Sequence, residues 1–557
     1  MTVNDGRHYR ACTIMATRNR HGIPVPAWLG AALLLASLLL TRAAWALTPE
    51  DARAAVEGGI GDRVEVVQRL VASGDPAAAR LLRALAQGAV RFNALGVYVV
   101  DDTGARDAVT GQSVTVPPDA EDALVNNRLR GVLETALAAL DLIEGADPAR
   151  QREAARLLRS AAVDDADAAL LALLQRVDAA LANRTVDAST RRALDEALAA
   201  AGLASEEPSE RQRAAKLLAR SAEPAIRPLI ERRLAEESDP AVRAALQHAL
   251  AAVERRQALT AAAGQLFAGL SLGSILLLAA LGLAITYGLM GVINMAHGEM
   301  IMIGAYATYA VQVAFQRWWP QALEYYVLAA IPVAFLATAA VGAAIERGVI
   351  RHLYGRPLET LLATWGLSLI LIQAVRSLFG AQNVAVENPG WLSGGVDVGA
   401  GLILPWNRIA VLAFAALVLA AVALLIARTR FGLFVRGVTQ NRPIAACMGV
   451  NTARVDMLAF AFGSGVAGLA GVALSQLGNV GPDLGQAYII DSFMVVVVGG
   501  VGQLAGSVLA ALGLGLLNKL FEGWAGAVLA KIAVLLLIIA FIQKRPQGLF
   551  ALRGRAA

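Results

Sequence analysis

The sequence predicts an all-α protein. It is a polytopic membrane helix bundle of about eight or nine segments, one of them broken by glycines, preceded by a mainly helical domain with a small β element. Three observations carry this. The chain of 557 residues is 57% hydrophobic with a mean hydropathy of +0.55, too apolar for an ordinary soluble protein. Charge is sorted along it: residues 47–258 are rich in Arg, Asp and Glu, while residues 262–543 hold long runs almost without them. Those runs are close to 20 residues each, the length a helix needs to cross a bilayer. The net charge of +5 sits largely in short loops beside apolar runs, where it sets membrane orientation and does not mark a nucleic-acid surface.

The N-terminus reads as a secretory signal peptide over residues 1–46. Arg18 and Arg20 give a positive start, residues 28–40 an apolar core, and Ala44-Trp45-Ala46 a small-x-small cleavage site. An uncleaved anchor helix is the alternative, although Arg42 interrupts the apolar run early. Met15, just upstream, is a candidate true start. Both readings put residues 47–258 across the membrane. Of the two cysteines, Cys12 precedes the cleavage site, so Cys447 has no internal disulfide partner.

Residues 47–258 repeat a unit. Asp75-Pro76, Asp147-Pro148 and Asp239-Pro240 each place Asp at an N-cap and Pro in the first turn, followed by apolar residues at helical spacing. Such helices pair into solenoids, and the unit resembles HEAT-type repeats. Within 96–116 the pattern changes: Val97–Val100 predict a strand, Asp102-Thr103-Gly104 a turn, and Val114–Val116 a second strand. No nucleophile–base pair or metal-ligand cluster is visible, so this domain reads as a binding or scaffolding module.

The third domain, residues 259–557, holds segments near 264–288, 292–314, 325–346, 360–379, 408–427 and 457–477, a broken region at 489–521 and a last segment at 525–543. Arginines orient them. Loops 347–357 and 428–456 and the tail carry Arg or Lys, whereas 380–407 before Arg408 and 478–490 carry none, so the C-terminus is expected in the cytoplasm. An odd number of crossings must then follow residue 485, and the run splits at Gly499-Gly500-Val501-Gly502. Gly500, Gly502 and Ala505 mimic a dinucleotide fingerprint, but that motif needs a soluble βαβ unit. No cofactor, metal site or catalytic residue is expected.

Two stretches are candidates for function. GVINMAHGEMIMIG places Asn294, His297 and Glu299 in an apolar setting, between the first two segments. An ionisable group within a membrane segment costs roughly 2.5–3.5 kcal/mol at the centre and faces the bundle interior or water. The stretch reads either as a polar opening to a solute path or as a cap at the cytoplasmic interface; Gly298 suggests that the helix is irregular there. Gly499, Gly500 and Gly502 are the companion path residues, since broken helices flank transport paths. The second stretch is the loop 428–456, long for a connection between crossings. Asn441 caps a short helix there, Pro443 fits its first turn and Gly449 its C-cap. It presents Ile444, Ala445 and Met448 to a partner's groove, or rests on lipid headgroups. No GxxxxGK[ST] motif occurs, so ATP is not bound through a P-loop of this chain's own.

The runs GLSLGSILLLAALGLAITYGLMGVINMAHGEMIMIGAY, RFGLFVRGVTQNRPIAACMGVNTARV and RPQGLF resemble the branched-chain amino acid permease family of ABC importers. Within it, ENPGWLSGG, LPWNR and GNVGPDLGQAYIIDSFMVVVVGGVG resemble the urea-type permeases, with Gln503 where Asn is expected. The resemblance implies an inner-membrane permease, not an enzyme, paired with a second permease subunit, two cytoplasmic ATP-binding subunits and a periplasmic solute-binding protein. It implies urea or a short amide as cargo, with branched-chain amino acids as the alternative. By position it makes Arg436, Asn441, Pro443, Ala445, Ala446 and Gly449 the ATPase-coupling loop. A passive channel and a membrane-tethered interaction protein remain rival readings.

Overall fold

The computed structural model describes residues 47–550 except 74, 102, 103, 146, 166, 292, 293 and 399–401. The expected signal peptide, Met15, Cys12, Asp102-Thr103 of the expected turn, and Arg553 and Arg555 lie outside the described residues. The chain forms two compact units. One holds the described residues up to 221 with 225–252, the other residues 222–224 with the described residues from 253 onward.

The first unit opens with α1 (Pro49–Ala54), α2 (Ile60–Ser73) and α3 (Pro76–Ala86). A four-stranded antiparallel sheet follows, β1 (Val90–Phe92), β2 (Val97–Asp101), β3 (Gly104–Asp107) and β4 (Glu121–Asp122), in the order β3-β2-β1-β4. The strand expected at 97–100 is β2. Its hairpin partner is β3, not 114–116: Tyr98 pairs with Asp107 and Asp101 with Gly104, while Ser113 forms an isolated bridge to Arg106 and the Val114 amide donates to the Ala105 carbonyl of β3 at 2.9 Å. With only two residues between them, β2 and β3 are the nearest partners along the chain.

Six helices complete the unit: α4 (Asn127–Glu144), α5 (Pro148–Asp164), α6 (Ala168–Leu181), α7 (Ala188–Gly202), α8 (Pro208–Leu218) and α9 (Ile226–Glu236). The start of α10 (Pro240–Met290) also belongs here. The Asp-Pro motifs do what their chemistry dictates. Asp75 accepts from the Ala77 amide at 2.9 Å, Asp147 from Ala149 at 2.9 Å and Asp239 from Ala241 at 2.8 Å. Each cap contributes about 1 kcal/mol. Leucines spaced along one face, among them Leu129, Leu133, Leu158, Leu174 and Leu194, are fully buried. Arg211 clamps the half-buried Glu237 with two hydrogen bonds of 2.8 and 3.0 Å, which hold that carboxyl below its ordinary range.

The second unit is a helix bundle made of the rest of α10 with α11 (His297–Trp318), α12 (Tyr326–Gly348), α13 (Pro357–Phe379), α14 (Trp406–Arg428), α15 (Arg430–Gln440), α16 (Arg442–Cys447), α17 (Thr452–Ser475), α18 (Leu484–Gly499), α19 (Leu504–Ala525) and α20 (Ala527–Lys544). Among the described residues seven helices are long and apolar enough to cross a membrane: α10, α12, α13, α14, α17, α19 and α20. Two more fall short of that measure for physical reasons. α11 carries His297, Glu299, Tyr306, Thr308 and Gln312 in its core-facing positions, and α18 has only 16 residues.

α17 is the hub. Its small residues let three neighbours approach at backbone distance: Gly463 meets Gly282 of α10, Ser464 meets Gly342 of α12, and Gly468 meets Gly304 of α11. Close contact through small residues is how membrane helices gain packing energy without a hydrophobic drive between them.

Candidate functional site

α10 ends at Met290, and Gly291 turns the chain with φ 66°. The chain then returns into the bundle. The Met295 amide donates to Thr364 Oγ1 of α13 at 3.2 Å, and Asn294 Oδ1 accepts from the Ala296 amide at 3.0 Å. The His297 Nε2 lies 3.0 Å from the Ala279 carbonyl of α10, and Ser368 of α13 donates to Glu299 Oε1 at 2.7 Å. Ala279 is eleven residues before the end of α10 and Ser368 eleven after the start of α13. At 1.5 Å per residue both lie roughly 16 Å from those helix ends, near the middle of a core about 30 Å thick.

The stretch therefore is no interfacial cap. It is a re-entrant segment that starts α11 at mid-depth, where its first amides have no intrahelical acceptor. Non-helical backbone persists there because it is enclosed by protein: Asn294 and Ala296 are buried. The expected irregularity at Gly298 is absent, and α11 is regular from His297 onward. Gly298 serves a different end. A Cβ there would come within 2.6 Å of the Gly485 carbonyl oxygen, so the first turns of α11 and α18 meet.

The regular helix separates the two ionisable groups. His297 turns to α10 and Glu299 to α13, so they form no joint site. Glu299 and Tyr306, seven residues apart, share a face. On α11, Glu299 Oε2, the Tyr306 hydroxyl and His297 Nδ1 are buried without a hydrogen-bond partner among the described residues. A buried carboxylate oxygen left unpaired is costly, and water or a polar solute satisfies it. Tyr306 and Ser368 were missed from sequence because a lone Tyr or Ser in an apolar run carries no signal.

The expected split after residue 498 is present. It is a turn joining α18 and α19, which run antiparallel, rather than a gap inside one helix. Gly500 has φ 97° and Gly502 φ 76°. The tail closes over the turn: the Leu549 amide donates to the Val498 carbonyl at 2.8 Å, and a Cβ at Gly500 would stand 2.6 Å from the Phe550 carbonyl oxygen. Gly499, Gly500 and Gly502 thus pack against backbone. We expect Gly500→Leu to destabilise the bundle by roughly 1–2 kcal/mol from its dihedral alone, with displacement of the tail in addition. A thermal melt of the purified variant should show a clear drop, and an unchanged melt would refute the packing role.

In the loop, Thr429 caps α15 and Asn441 caps α16, its Oδ1 accepting from the Ile444 amide at 3.1 Å. Pro443 lies in the first turn of α16, and Gly449 follows with φ 84°. Arg436, Ile444, Ala446 and Met448 are exposed. Ala445 is not: it is buried against Leu289, Val438, Val455 and Ala459, so it seats the helix and cannot face a partner. One turn of helix sends adjacent residues to different sides, and the seat took Ala445.

Beneath α16 lies a polar network that sequence reasoning missed. Arg442 pairs with Asp456 at the base of α17, and its guanidinium stacks 4.7 Å from the Tyr354 ring centroid. The Tyr354 hydroxyl lies 3.1 Å from Met290 Sδ of α10 and 3.5 Å from Glu346 Oε1 of α12. Burial, with Asp456 and Glu346 alongside, pushes the Tyr354 phenol up, so it remains a protonated donor. Arg351 lies 3.7 Å from Glu346. One arginine of α16 is thereby linked to the ends of three core helices. Asp456 and Glu346, fully buried acids at the edges of apolar runs, were the available signal.

Comparison with known proteins bears on residues 265–542, which match the family model described as branched-chain amino acid transport system / permease component. The high-affinity branched-chain amino acid transport system permease protein BraD of Pseudomonas aeruginosa is 29% identical over 289 residues, 51% of this chain and 94% of that protein. LivH of Escherichia coli is 29% identical over 291 residues, again 51% and 94%. A probable LivH of Methanocaldococcus jannaschii is 24% identical over 297 residues, 50% and 88%. No solved structure matches.

Proposed function

We propose, from the match of residues 265–542 to the family model described as branched-chain amino acid transport system / permease component, that this chain is the membrane-spanning subunit of an ATP-driven importer. Its partners are a second permease subunit, two cytoplasmic ATP-binding subunits and a solute-binding protein outside. The observation that carries the reading is the link between the loop and the core. An exposed, capped helix is tied through Arg442, Asp456 and Tyr354 to α10, α12 and α17, so force applied at α16 reaches the bundle. Energy then comes from a separate subunit, in keeping with the missing P-loop.

The solute path runs beside the start of α11, where Glu299 and Tyr306 offer polar atoms that the protein leaves unsatisfied, with Asn294 and His297 holding the re-entrant segment in place. The arginine-rich loops face the cytoplasm of an inner membrane and the first unit lies outside it. The names of the relatives support branched-chain amino acids as cargo. A second reading, urea or a short amide, is favoured by the segments ENPGWLSGG and GNVGPDLGQAYIIDSFMVVVVGGVG. The deciding experiment is competition between labelled leucine and labelled urea for uptake in cells with and without the gene, alongside ATPase activity of the purified complex with each solute. Uptake of either that persists without ATP would overturn the importer in favour of a channel.

A further inference from the structure

The bundle contains a further polar feature, away from the re-entrant segment and from the Arg442 network. A cavity of about 220 Å³ lies between α10, α18, α19 and α20 and is lined by Tyr488, Asp491, Asn518, Lys519, Glu522 and Lys531. It sits near the end of the bundle where Gly526 joins α19 to α20. That is the end opposite the tail and the α18–α19 turn, and the one that the arginine pattern places outside. Charges within membrane helices are costly and usually mark a polar route. Here two carboxylates, two ammonium groups and an amide share one small space.

Their pairing is incomplete. Lys519 and Glu522 are in contact at 2.7 Å, but Lys531 Nζ and Asp491 Oδ2 are 3.9 Å apart, beyond hydrogen-bond reach. The Asp491 side chain is 16% exposed and that of Lys531 59% exposed. An acid on the inner wall thus faces a base on the rim, with room for a group that bonds to both. The formal charges cancel, which disfavours an ion. The volume is below the roughly 300–1,000 Å³ of sites for drug-sized ligands, so the occupant is small.

We propose that this cavity is a binding subsite for a small dipolar solute, presenting N–H donors to Asp491 and a carbonyl or carboxylate oxygen to Lys531. The inference rests on the importer reading above and adds a place where cargo is held before it reaches Glu299. Urea and a zwitterionic amino acid both carry this chemistry.

The test measures concentration-dependent uptake of labelled urea and of labelled leucine by the full complex carrying Asp491→Asn or Lys531→Gln. For whichever solute the parent takes up, each variant should raise the half-saturating concentration about tenfold or more. Maximal rate, membrane level and co-purified ATPase should stay at parental values. Where Asp491→Asn fails to accumulate, Lys531→Gln at the exposed rim decides. An unchanged half-saturating concentration overturns the subsite while leaving the importer intact. Loss of the partner subunits overturns it in favour of a subunit contact. A parent that takes up neither solute overturns the importer reading, and this site with it.

Discussion

Gly304→Leu will abolish accumulation of the folded membrane unit. A Cβ at this position would lie 2.5 Å from the Gly468 Cα and 2.7 Å from its carbonyl carbon, and both partners are backbone. Neither can rotate away, so α11 and α17 must part. The same seam carries Gly471 against Ile301 and Gly468 against Thr338 of α12, so the displacement spreads to three helices. Overpacking of a core typically costs 1–3 kcal/mol when side chains can adjust; here the cost should reach about 3 kcal/mol or more. Gly513→Leu is the control, because nothing lies within 4 Å of a Cβ there. Detergent-solubilised protein should run as a single species on gel filtration for the parent and Gly513→Leu, and be aggregated or missing for Gly304→Leu. Equal recovery of both variants would show that the α11–α17 contact is not what holds the bundle.

The second large effect is expected at α16. Ala446 is exposed and its neighbour Ala445 is buried, so Ala446→Glu alters the outer face without disturbing the seat. A carboxylate pressed into a partner's contact without a counter-charge costs on the order of several kcal/mol if fully buried. That is enough to undo an ordinary subunit contact. Gly449→Val acts on the same surface by another route, because φ 84° opposes a β-branched residue. Both variants should reach the membrane at parental levels and lose co-purified ATPase and uptake together. Retained ATPase with lost uptake would locate the defect in the path. Parental behaviour in both would put the docking surface elsewhere, with the loop at 347–357 next in line.

What was legible in the sequence was what local chemistry decides. Asp-Pro caps named the starts of α3, α5 and α10, and runs of apolar residues found the crossing helices to within a few residues, except that the run expected at 264–288 is the second half of one helix that starts at Pro240. The caps of α16 could be read from Asn441, Pro443 and Gly449. What was not legible depends on contacts between distant segments. The depth of His297 follows from Ala279 and Ser368, which lie 18 and 71 residues away. The burial of Ala445 follows from Leu289 and Val455, and β3 took the place expected of 114–116 because it lies only two residues beyond β2. The Arg442–Asp456–Tyr354 network joins segments from 290 to 456 and leaves only isolated charged or aromatic letters in each.

The tail over the α18–α19 turn carries a consequence for biosynthesis. Residues 545–550 leave the ribosome some 45 residues after the turn they cover. Until then the Val498 carbonyl lacks the Leu549 amide, and Gly500 is open on the side where Phe550 will lie. The hairpin must therefore insert unsealed and be locked late, once α20 has also crossed. A chain ending before residue 545 would hold α10 to α20 and still lack the Leu549 bond that closes this turn.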